Sequence, residues 1–277
     1  MNKAKLTDIC HKISNKTGLS FNTVMLYYFM ESILKRFSDG ENRNNIIFKG
    51  GFLLSNVVGV EIRSTVDIDF LLININMSEK EVLNILQNIL DKNFEDGITY
   101  EVKNIASIKE EDQYGGFRAS ILCKFDNIRL VVPLDIATGD IVTPNPIDYD
   151  YISLFGDEKI HIKAYTIETI IAEKLHTIYS RGYFNSRSKD YYDLYILYRI
   201  RCDEIDFEIL KKACIRTFNY RNTELNLVKI EELLQNLKYD EKFLKNWKAY
   251  AKKNKYVGTI QFEEVIDDIL KIIKEIN

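Results

Sequence analysis

The hydrophobic pattern of this chain changes once along its 277 residues, near residue 160, and that change constrains the fold more than any other feature. Before it, short apolar stretches with partial alternation lie between helical segments. After it, apolar residues recur every three or four positions almost to the end. Alternation is typical of strands, and the longer spacing is typical of helices. The sequence therefore predicts an α+β protein, with an α/β domain including N-terminal helices at residues 1–160 and a helical domain at 161–277.

Capping and turn signals place the individual elements. Strand patterns occupy 46–48, 66–73, 98–106, 117–125 and 128–137, and helical patterns occupy 20–37, 78–91, 167–179, 186–200, 206–218, 225–237, 240–253 and 261–276. Ser20 and Thr166 are N-cap residue types where helices are predicted to begin, and Ser78 with Glu81 fits a capping box. Asp126-Asn127 suits a tight turn between the last two strands.

The three prolines add two further expectations. Pro144 and Pro146 make residues 140–150 a predicted connection between the two halves. Pro133 lies inside the predicted strand 128–137 and removes a backbone donor, which suits an edge strand or a bulge.

Composition excludes several classes of protein. A formal net charge of −3 argues against non-specific coating of nucleic acid, although a local basic patch stays compatible with it. No apolar stretch of about 18 residues and no signal-peptide core occur, so we expect a cytoplasmic protein without a membrane helix. The four cysteines and three histidines are scattered, which argues against a zinc site, a disulfide framework and a Ser-His-Asp triad.

The first candidate site combines a glycine pair with two aspartates. Gly50 and Gly51 follow a predicted strand and precede an apolar run, so that bare backbone N–H groups can approach a phosphate. Asp67 and Asp69 alternate on a predicted strand and share one face, where their mutual repulsion favours a cation such as Mg²⁺ between them. The alternative is a solvent-facing acidic pair on an edge strand beside an unrelated turn.

A third acid could complete this site. Asp135 lies near the end of the strand predicted at 128–137, where a neighbouring strand could bring it beside Asp67 and Asp69. A third carboxylate is typical of sites that hold two divalent ions for phosphoryl transfer. Asp140 is a competitor for this role, and an ordinary strand-end aspartate in a turn is the alternative.

A second candidate site lies in the helical half. Lys174 falls inside the apolar face of the helix predicted at 167–179, where a buried lysine needs an anionic partner. Asp190 and Asp193 are helical neighbours in an apolar and aromatic run and need partners in turn. Either these groups pair structurally between helices, or Lys174 faces a phosphate and an aspartate faces the sugar, the attacking group or a metal. Positive charge suited to a triphosphate or an RNA backbone is added nearby by Arg181, Arg187 and Lys189.

Four segments, in order, resemble the AbiEii/AbiGii toxins, the nucleotidyltransferase-like proteins of abortive-infection, type IV toxin–antitoxin systems. They are KGGFLLSNVVG, RSTVDIDF, PLDIATGD and TIETIIAEKLHTIYSRGYFNSRSKDYYDLYIL, and they span roughly residues 45–200. The tail beyond about residue 200 matches only in its helical character. The resemblance implies a DNA polymerase β-like nucleotidyltransferase domain with a mixed sheet, followed by a helical domain that contributes to the nucleotide cleft.

The resemblance also implies roles for individual residues. Gly50 and Gly51, with Lys49, would hold the triphosphate; Asp67 and Asp69 would be catalytic Mg²⁺ or Mn²⁺ ligands; and Asp135 is the candidate third metal ligand. The later motifs fall on Lys174, Asp190 and Asp193 as catalytic residues, with Arg181 and Lys189 binding the nucleotide. Two departures from the pattern stand out. The second motif residue is Gly51 rather than serine, so a hydroxyl would have to come from Ser64 or Thr65, and the gap from Gly51 to Asp67 is long.

The activity implied is metal-dependent transfer of a nucleotide, with GTP favoured among the NTPs, to an RNA such as a tRNA end, or else to a protein. The protein would arrest bacterial growth in phage defence and be opposed by a separately encoded antitoxin without a stable complex. We expect a monomer. Two other hypotheses stay open: a non-catalytic nucleotide-binding module that acts through a partner, and a purely structural protein whose carboxylates are surface features.

Overall fold

The computed structural model describes residues 2–40, 43–74, 78–92, 94–108 and 115–277, which form two compact units. The first unit comprises the chain up to Asp140 together with Ile147–Ala164. The second comprises Ile141–Pro146 and Tyr165–Asn277. The domain boundary at residue 160 stays a prediction, since compactness does not show that either unit folds alone.

The first unit contains four helices and seven strands within its described residues. The helices are α1 (Lys3–Thr17), α2 (Phe21–Ser38), α3 (Gly50–Val58) and α4 (Glu79–Leu90). The strands are β1 (Ile46–Lys49), β2 (Ile68–Leu72), β3 (Ile98–Ile108), β4 (Gly116–Phe125), β5 (Ile128–Thr138), β6 (Ile147–Ile152) and β7 (Lys159–Ala164). The side chain of Ser20 caps α2, and Ser78 and Glu81 form the predicted capping box of α4.

The seven strands form one sheet in the order β3-β4-β5-β2-β1-β7-β6. The pairs β2–β5 and β1–β7 are parallel and the other neighbours are antiparallel, so the sheet is mixed. The α+β class is therefore confirmed. The hairpin between β4 and β5 turns at Asp126, whose φ of 53° is the left-handed conformation that such a turn needs.

One row of apolar residues is buried on one face of the sheet. Phe48, Phe70 and Ile136 lie in register on β1, β2 and β5, and all three are buried. Phe37 of α2 stacks on Phe70 with 4.2 Å between ring centroids. Because adjacent residues of a strand point to opposite faces, the residues that precede or follow this row project from the other face.

The sequence analysis did not predict two strands of this sheet, and Pro133 does not lie on an edge strand. Residues 147–150 belong to β6 rather than to a connection, because its polar residues occupy the exposed side of an edge strand. The strand β7 reads KIHIKA with Ile160, Ile162 and Ala164 buried, an alternation that is visible in the sequence. Pro133 lies on an internal strand, but pairing of β5 with β2 begins only at Leu134, so Pro133 has a strand neighbour on one side alone.

The second unit is helical throughout its main segment. Its helices are α5 (Ile167–Arg181), α6 (Ser188–Arg201), α7 (Phe207–Tyr220), α8 (Leu227–Leu237), α9 (Glu241–Lys253) and α10 (Phe262–Glu275), which confirms the six predicted helices. Thr166 caps α5 as expected. Every residue of α6 from Asp190 to Leu197 is buried, so α6 is the central helix of this unit. No helix among the described residues is long and apolar enough to cross a membrane.

Candidate functional site

Four charged residues form a row across one face of the sheet. Lys49 on β1 pairs in register with Asp69 on β2, Asp69 with Asp135 on β5, and Asp135 with Arg118 on β4. Residues in register on neighbouring strands point to the same face, which here is opposite to the face carrying Phe48, Phe70 and Ile136. The parallel pairing of β2 with β5 thus brings two carboxylates together that are 66 positions apart in the sequence.

The segment that enters β2 holds a further carboxylate in place. Asp67 lies immediately before β2, and its Oδ1 accepts a short hydrogen bond from the hydroxyl of Thr65. The backbone N–H of Thr65 donates to the Tyr27 hydroxyl at 3.1 Å, and Thr65 is buried. The buried Arg63 donates to the carbonyl of Ser64, whose own side chain is half-buried. The Asp67 carboxylate is therefore positioned by Thr65, whose backbone is bound in turn to the buried Tyr27.

The glycine pair begins α3 directly beside these carboxylates. Gly50 has a φ of 71°, and a Cβ placed on it would lie 2.1 Å from Oδ2 of Asp69. A Cβ on Gly51 would lie 2.8 Å from the hydroxyl oxygen of Thr65. Both positions therefore need glycine, because side chains of Asp69 and Thr65 occupy the space. Lys49, the N-cap residue, forms no side-chain capping bond, so the first N–H groups of α3 begin next to Asp69.

Each cation of the row is paired with a carboxylate: Lys49 with Asp140, which lies outside the row, and Arg118 with Asp135, which lies within it. Lys49 Nζ lies 2.6 Å from Oδ2 of Asp140, and the Nε of Arg118 donates to Oδ1 of Asp135 at 2.7 Å, with Nη2 binding the second oxygen. The hydrogen bond with Asp135 raises the pKa of Arg118, and the charges of Asp135, Asp67 and Asp69 raise it further. All three carboxylates therefore act electrostatically on this guanidinium. Within the described residues, no three His, Cys, Asp or Glu side chains are grouped so that they could hold a metal ion.

The second unit contains a buried ion cluster at the junction of α5 and α6. Lys174 Nζ lies 2.7 Å from Oδ1 of Asp190 and 2.8 Å from Oδ2 of Asp193. Arg187 Nε binds the other oxygen of Asp190 at 3.0 Å. We call Lys174, Asp190, Asp193 and Arg187 the lysine cluster. Its two carboxylates are buried, with side chains about 1% exposed, whereas Lys174 and Arg187 retain 20% and 40% exposure.

This exposure pattern determines what the lysine cluster presents to solvent. Desolvation alone lowers the pKa of Lys174, but the charges of Asp190 and Asp193 outweigh it and the pKa is raised. Lys174 is therefore a permanent cation. The carboxylates are about 1% exposed, so a ligand from solvent meets the exposed part of Arg187 before it meets either carboxylate. That arrangement suits an anionic ligand.

Comparison with known proteins identifies the family. The profile of the family described as nucleotidyl transferase AbiEii toxin, type IV TA system, matches residues 32–268. The chain belongs to this family. Its activity class is therefore nucleotidyl transfer, and the toxins of type IV systems are paired with a separate antitoxin. No curated protein matches the sequence closely enough to be reported as a relative.

Solved structures show the same fold as this AbiEii-family protein. A Helicobacter pylori protein provisionally described as a nucleotidyltransferase aligns with a TM-score of 0.58 at 16% identity, covering 93% of this chain and 96% of that one. The protein JHP933 from Helicobacter pylori aligns with a TM-score of 0.53 at 16% identity, covering 93% of each chain. At these identities the likeness establishes the nucleotidyltransferase-like fold alone.

The residues predicted from the sequence fall into both units of the AbiEii-family chain. Asp67, Asp69 and Asp135, with the glycine pair and Lys49, lie in the first unit. Lys174, Asp190 and Asp193 form the lysine cluster of the second unit, as the structural-pairing hypothesis anticipated. Three more predicted residues are placed as follows: Thr65 binds Asp67, Lys189 is half-buried on the first turn of α6, and Arg181 is exposed at the end of α5.

Sequence reasoning missed Arg118 and one pair in the second unit. The Glu173 carboxylate accepts from the Tyr165 hydroxyl at 3.2 Å and from the Arg221 guanidinium at 3.4 Å. Arg118 could have been found, because a two-residue turn at Asp126-Asn127 places it opposite Asp135. Arg221 had no such signal, since it is the C-cap residue of α7 and lies 48 positions from Glu173, which is in the middle of α5.

Proposed function

We propose that this AbiEii-family toxin transfers a nucleotide from GTP or another NTP to an RNA acceptor, with a divalent ion bound at Asp67 and Asp69. The observation that carries the proposal is the contact between the start of α3 and Asp69, where only glycine fits at position 50. Helix N–H groups, which bind phosphate, therefore lie within a few ångströms of carboxylates, which bind a cation. A nucleoside triphosphate with its metal ion needs both.

Several groups of the first unit would bind the triphosphate together. The N–H groups of Gly50 and Gly51 would donate to phosphate oxygens, aided by the positive end of the α3 dipole. Thr65 replaces the hydroxyl that Gly51 lacks, since its oxygen lies where a side chain at position 51 would extend. The same hydroxyl orients Asp67. Lys49 is held by Asp140 near the row of carboxylates and would supply positive charge.

The donor set fits Mg²⁺ or Mn²⁺ bound through two carboxylates. Asp67 and Asp69 offer the oxygen ligands that Mg²⁺ prefers, and it usually completes its shell with waters and substrate phosphates rather than with a full protein cage. This fits the absence of a three-residue metal group among the described residues. When bound, the ion would neutralise charge that develops on the phosphates. Asp135 would become a metal ligand only after the Arg118 side chain leaves it and binds a phosphate instead.

We assign the lysine cluster of the second unit to binding of phosphate groups. Lys174 and Arg187 reach solvent and would neutralise the triphosphate or the RNA backbone, aided by Arg181 and Lys189. Asp190 and Asp193 are buried and both oxygens of Asp190 are engaged, so we assign them to positioning Lys174 and Arg187. Removal of a proton from the acceptor hydroxyl by Asp190 would first require release of Arg187.

In the cell, we propose that modification of an RNA such as a tRNA end arrests growth as a defence against phage. The toxin would act as a cytoplasmic monomer, opposed by its antitoxin without a stable complex. These statements rest on family membership and on the activity class rather than on a particular contact.

The test is incubation of the purified protein with each labelled NTP, total RNA and Mg²⁺, followed by counting label in the RNA. We expect one nucleotide to be incorporated by the wild type, and Asp69→Asn to reduce the rate at least 100-fold. Asp148→Asn is the matched control, because Asp148 is a strand carboxylate paired with Lys163 at 2.8 Å but 89% exposed. Equal rates for Asp69→Asn and wild type would overturn the assignment.

The non-catalytic alternative is favoured by the two hydrogen bonds between Arg118 and Asp135, because they occupy the candidate third metal ligand. The same incubation, together with a thermal unfolding measurement, tests this alternative. In that case nucleotide would protect the protein against thermal unfolding, since a ligand selective for the native state raises its stability. No label would enter RNA or protein.

A further inference from the structure

The turn between α5 and α6 displays an aromatic side chain to solvent. Phe184 is 90% exposed and the neighbouring Tyr183 is 48% exposed. Of the large hydrophobic residues exposed in the described part of the chain, Phe184 has the greatest exposure. The two adjacent rings together form an exposed aromatic surface on this turn.

The backbone under Phe184 is fixed by specific contacts. Asn185 is buried, its N–H donates to the carbonyl of Gly182 at 3.1 Å, and its Oδ1 accepts from the N–H of Arg187 at 3.0 Å. Lys242 Nζ donates to the carbonyl of Tyr183 at 3.0 Å. The backbone of the turn that carries Phe184 is therefore fixed by hydrogen bonds on both sides of this residue. A pre-organised aromatic surface loses little entropy when it binds a ligand.

The charge around this turn has one sign. Residues 181–189 read RGYFNSRSK, with three basic residues and no acidic one. Arg181 is exposed at the end of α5, and Arg187 is 40% exposed and belongs to the lysine cluster. Flat aromatic rings between cations are the combination that binds single-stranded nucleic acid, because bases stack on the rings while the cations bind the phosphates.

We infer that Phe184, with Arg181 and Arg187, forms a stacking site for a nucleobase of single-stranded RNA, and that this RNA is the acceptor. The identification of the RNA as acceptor rests on the proposed function. Tyr183 would extend the stacking surface. The link to the reaction is Arg187, which touches both this turn and the carboxylate of Asp190.

The test is direct binding of a fluorescein-labelled 12-nucleotide RNA, measured by anisotropy without NTP or divalent ions. Stacking on one ring contributes about 1–3 kcal/mol, so Phe184→Ala should weaken binding by about 5- to 150-fold. Phe184→Trp should retain binding, and Phe184→Leu should lose it because leucine keeps the apolar area but not the ring face. Tyr239→Ala is the control, since Tyr239 is an aromatic residue of the same unit that is 67% exposed.

Salt dependence separates stacking from charge. Arg181→Gln should lower the slope of log Kd against log salt by about 0.7, the value for one phosphate contact on a single strand, and Phe184→Ala should leave the slope unchanged. Unchanged affinity in Phe184→Ala, or full affinity in Phe184→Leu, would overturn the stacking site, and the second result would indicate an apolar protein contact instead.

Binding of GTP by the same variants identifies the source of the base. We expect Phe184→Ala to leave GTP affinity unchanged. Loss of GTP affinity with RNA affinity intact would assign the ring to the NTP and overturn the inference. If the wild type incorporates label while Phe184→Ala binds RNA normally, the stacking site fails and the proposed function stands. If no label is incorporated but Phe184→Ala loses RNA, the proposed function and the role of acceptor fail together, and the binding site stands.

Discussion

Alanine at position 50 gives the sharpest test of the carboxylate site, because the structure contains a matched control. Gly50 and Gly18 have almost the same positive φ, 71° and 74°. A methyl group at Gly18 would meet nothing within 4 Å. At Gly50 it would lie 2.1 Å from Oδ2, 2.4 Å from Cγ and 2.6 Å from Cβ of Asp69. The two variants share the backbone cost and differ in the clash.

The expected magnitudes follow from this difference. A left-handed conformation costs a non-glycine residue about 1–2 kcal/mol, so Gly18→Ala should lower the free energy of unfolding by about that amount. Carbon contacts need about 3.5 Å, so Gly50→Ala must displace the Asp69 carboxylate by more than about 1 Å. Rotation of the side chain does not relieve the clash, because Cβ of Asp69 is itself too close. Misplacement of a reacting group by about 1 Å can reduce a rate by about 100-fold.

The assay compares labelled-nucleotide incorporation and urea unfolding for both variants. We expect Gly18→Ala to retain wild-type incorporation despite its lower stability. Gly50→Ala should lose about 100-fold in rate and unfold at least as readily as Gly18→Ala. Equal incorporation by the two variants, with both folded, would show that the position of Asp69 does not matter and would refute the reasoning.

Three other substitutions test separate parts of the structure. Burial raises the pKa of Glu31 to about 7, so the folded state keeps this proton to a higher pH than the unfolded state does. The resulting contribution to the free energy of unfolding is roughly 3 kcal/mol; it is fully present below pH 4.5 and is lost as pH rises through 7. Urea unfolding at pH 5 and pH 8 should show this loss in wild type and a smaller one in Glu31→Gln; an unchanged pH dependence would contradict it. Asp193→Asn should destabilise the protein by about 3 kcal/mol, since it leaves the Lys174 charge with one carboxylate fewer, and a melting temperature equal to that of wild type would contradict this. Arg118→Gln should release Asp135 and tighten Mn²⁺ binding by about 10-fold in an electron paramagnetic resonance titration, while Lys124→Gln, on the same strand, should not; equal affinities would show that Arg118 does not compete with the metal.

The sequence was sufficient for those features that depend on local chemistry. Caps at Ser20, Ser78 and Thr166 were predicted correctly because each cap satisfies N–H groups only three residues away. The lysine cluster was anticipated for a similar reason: Lys174 sits in an apolar face and the carboxylates in an apolar run, and buried charges require partners. The sequence did not predict that Lys174 binds both aspartates at once or that Arg187 binds Asp190, because these contacts depend on how the helices pack.

The carboxylate row shows where local reasoning ends. The turn at Asp126-Asn127 fixes the register of β4 against β5, so Arg118 opposite Asp135 follows from counting outward from the turn. The register of β2 against β5 follows from no turn, because parallel strands are joined by long crossovers whose length leaves the alignment open. Asp69 beside Asp135 therefore depends on packing, in which Phe70 and Ile136 are both buried on the opposite face. A shift of β2 by one residue would move Asp69 to the face that carries Phe48 and Ile136 and take Phe70 off it, so the apolar row that stabilises the sheet also holds the two carboxylates together.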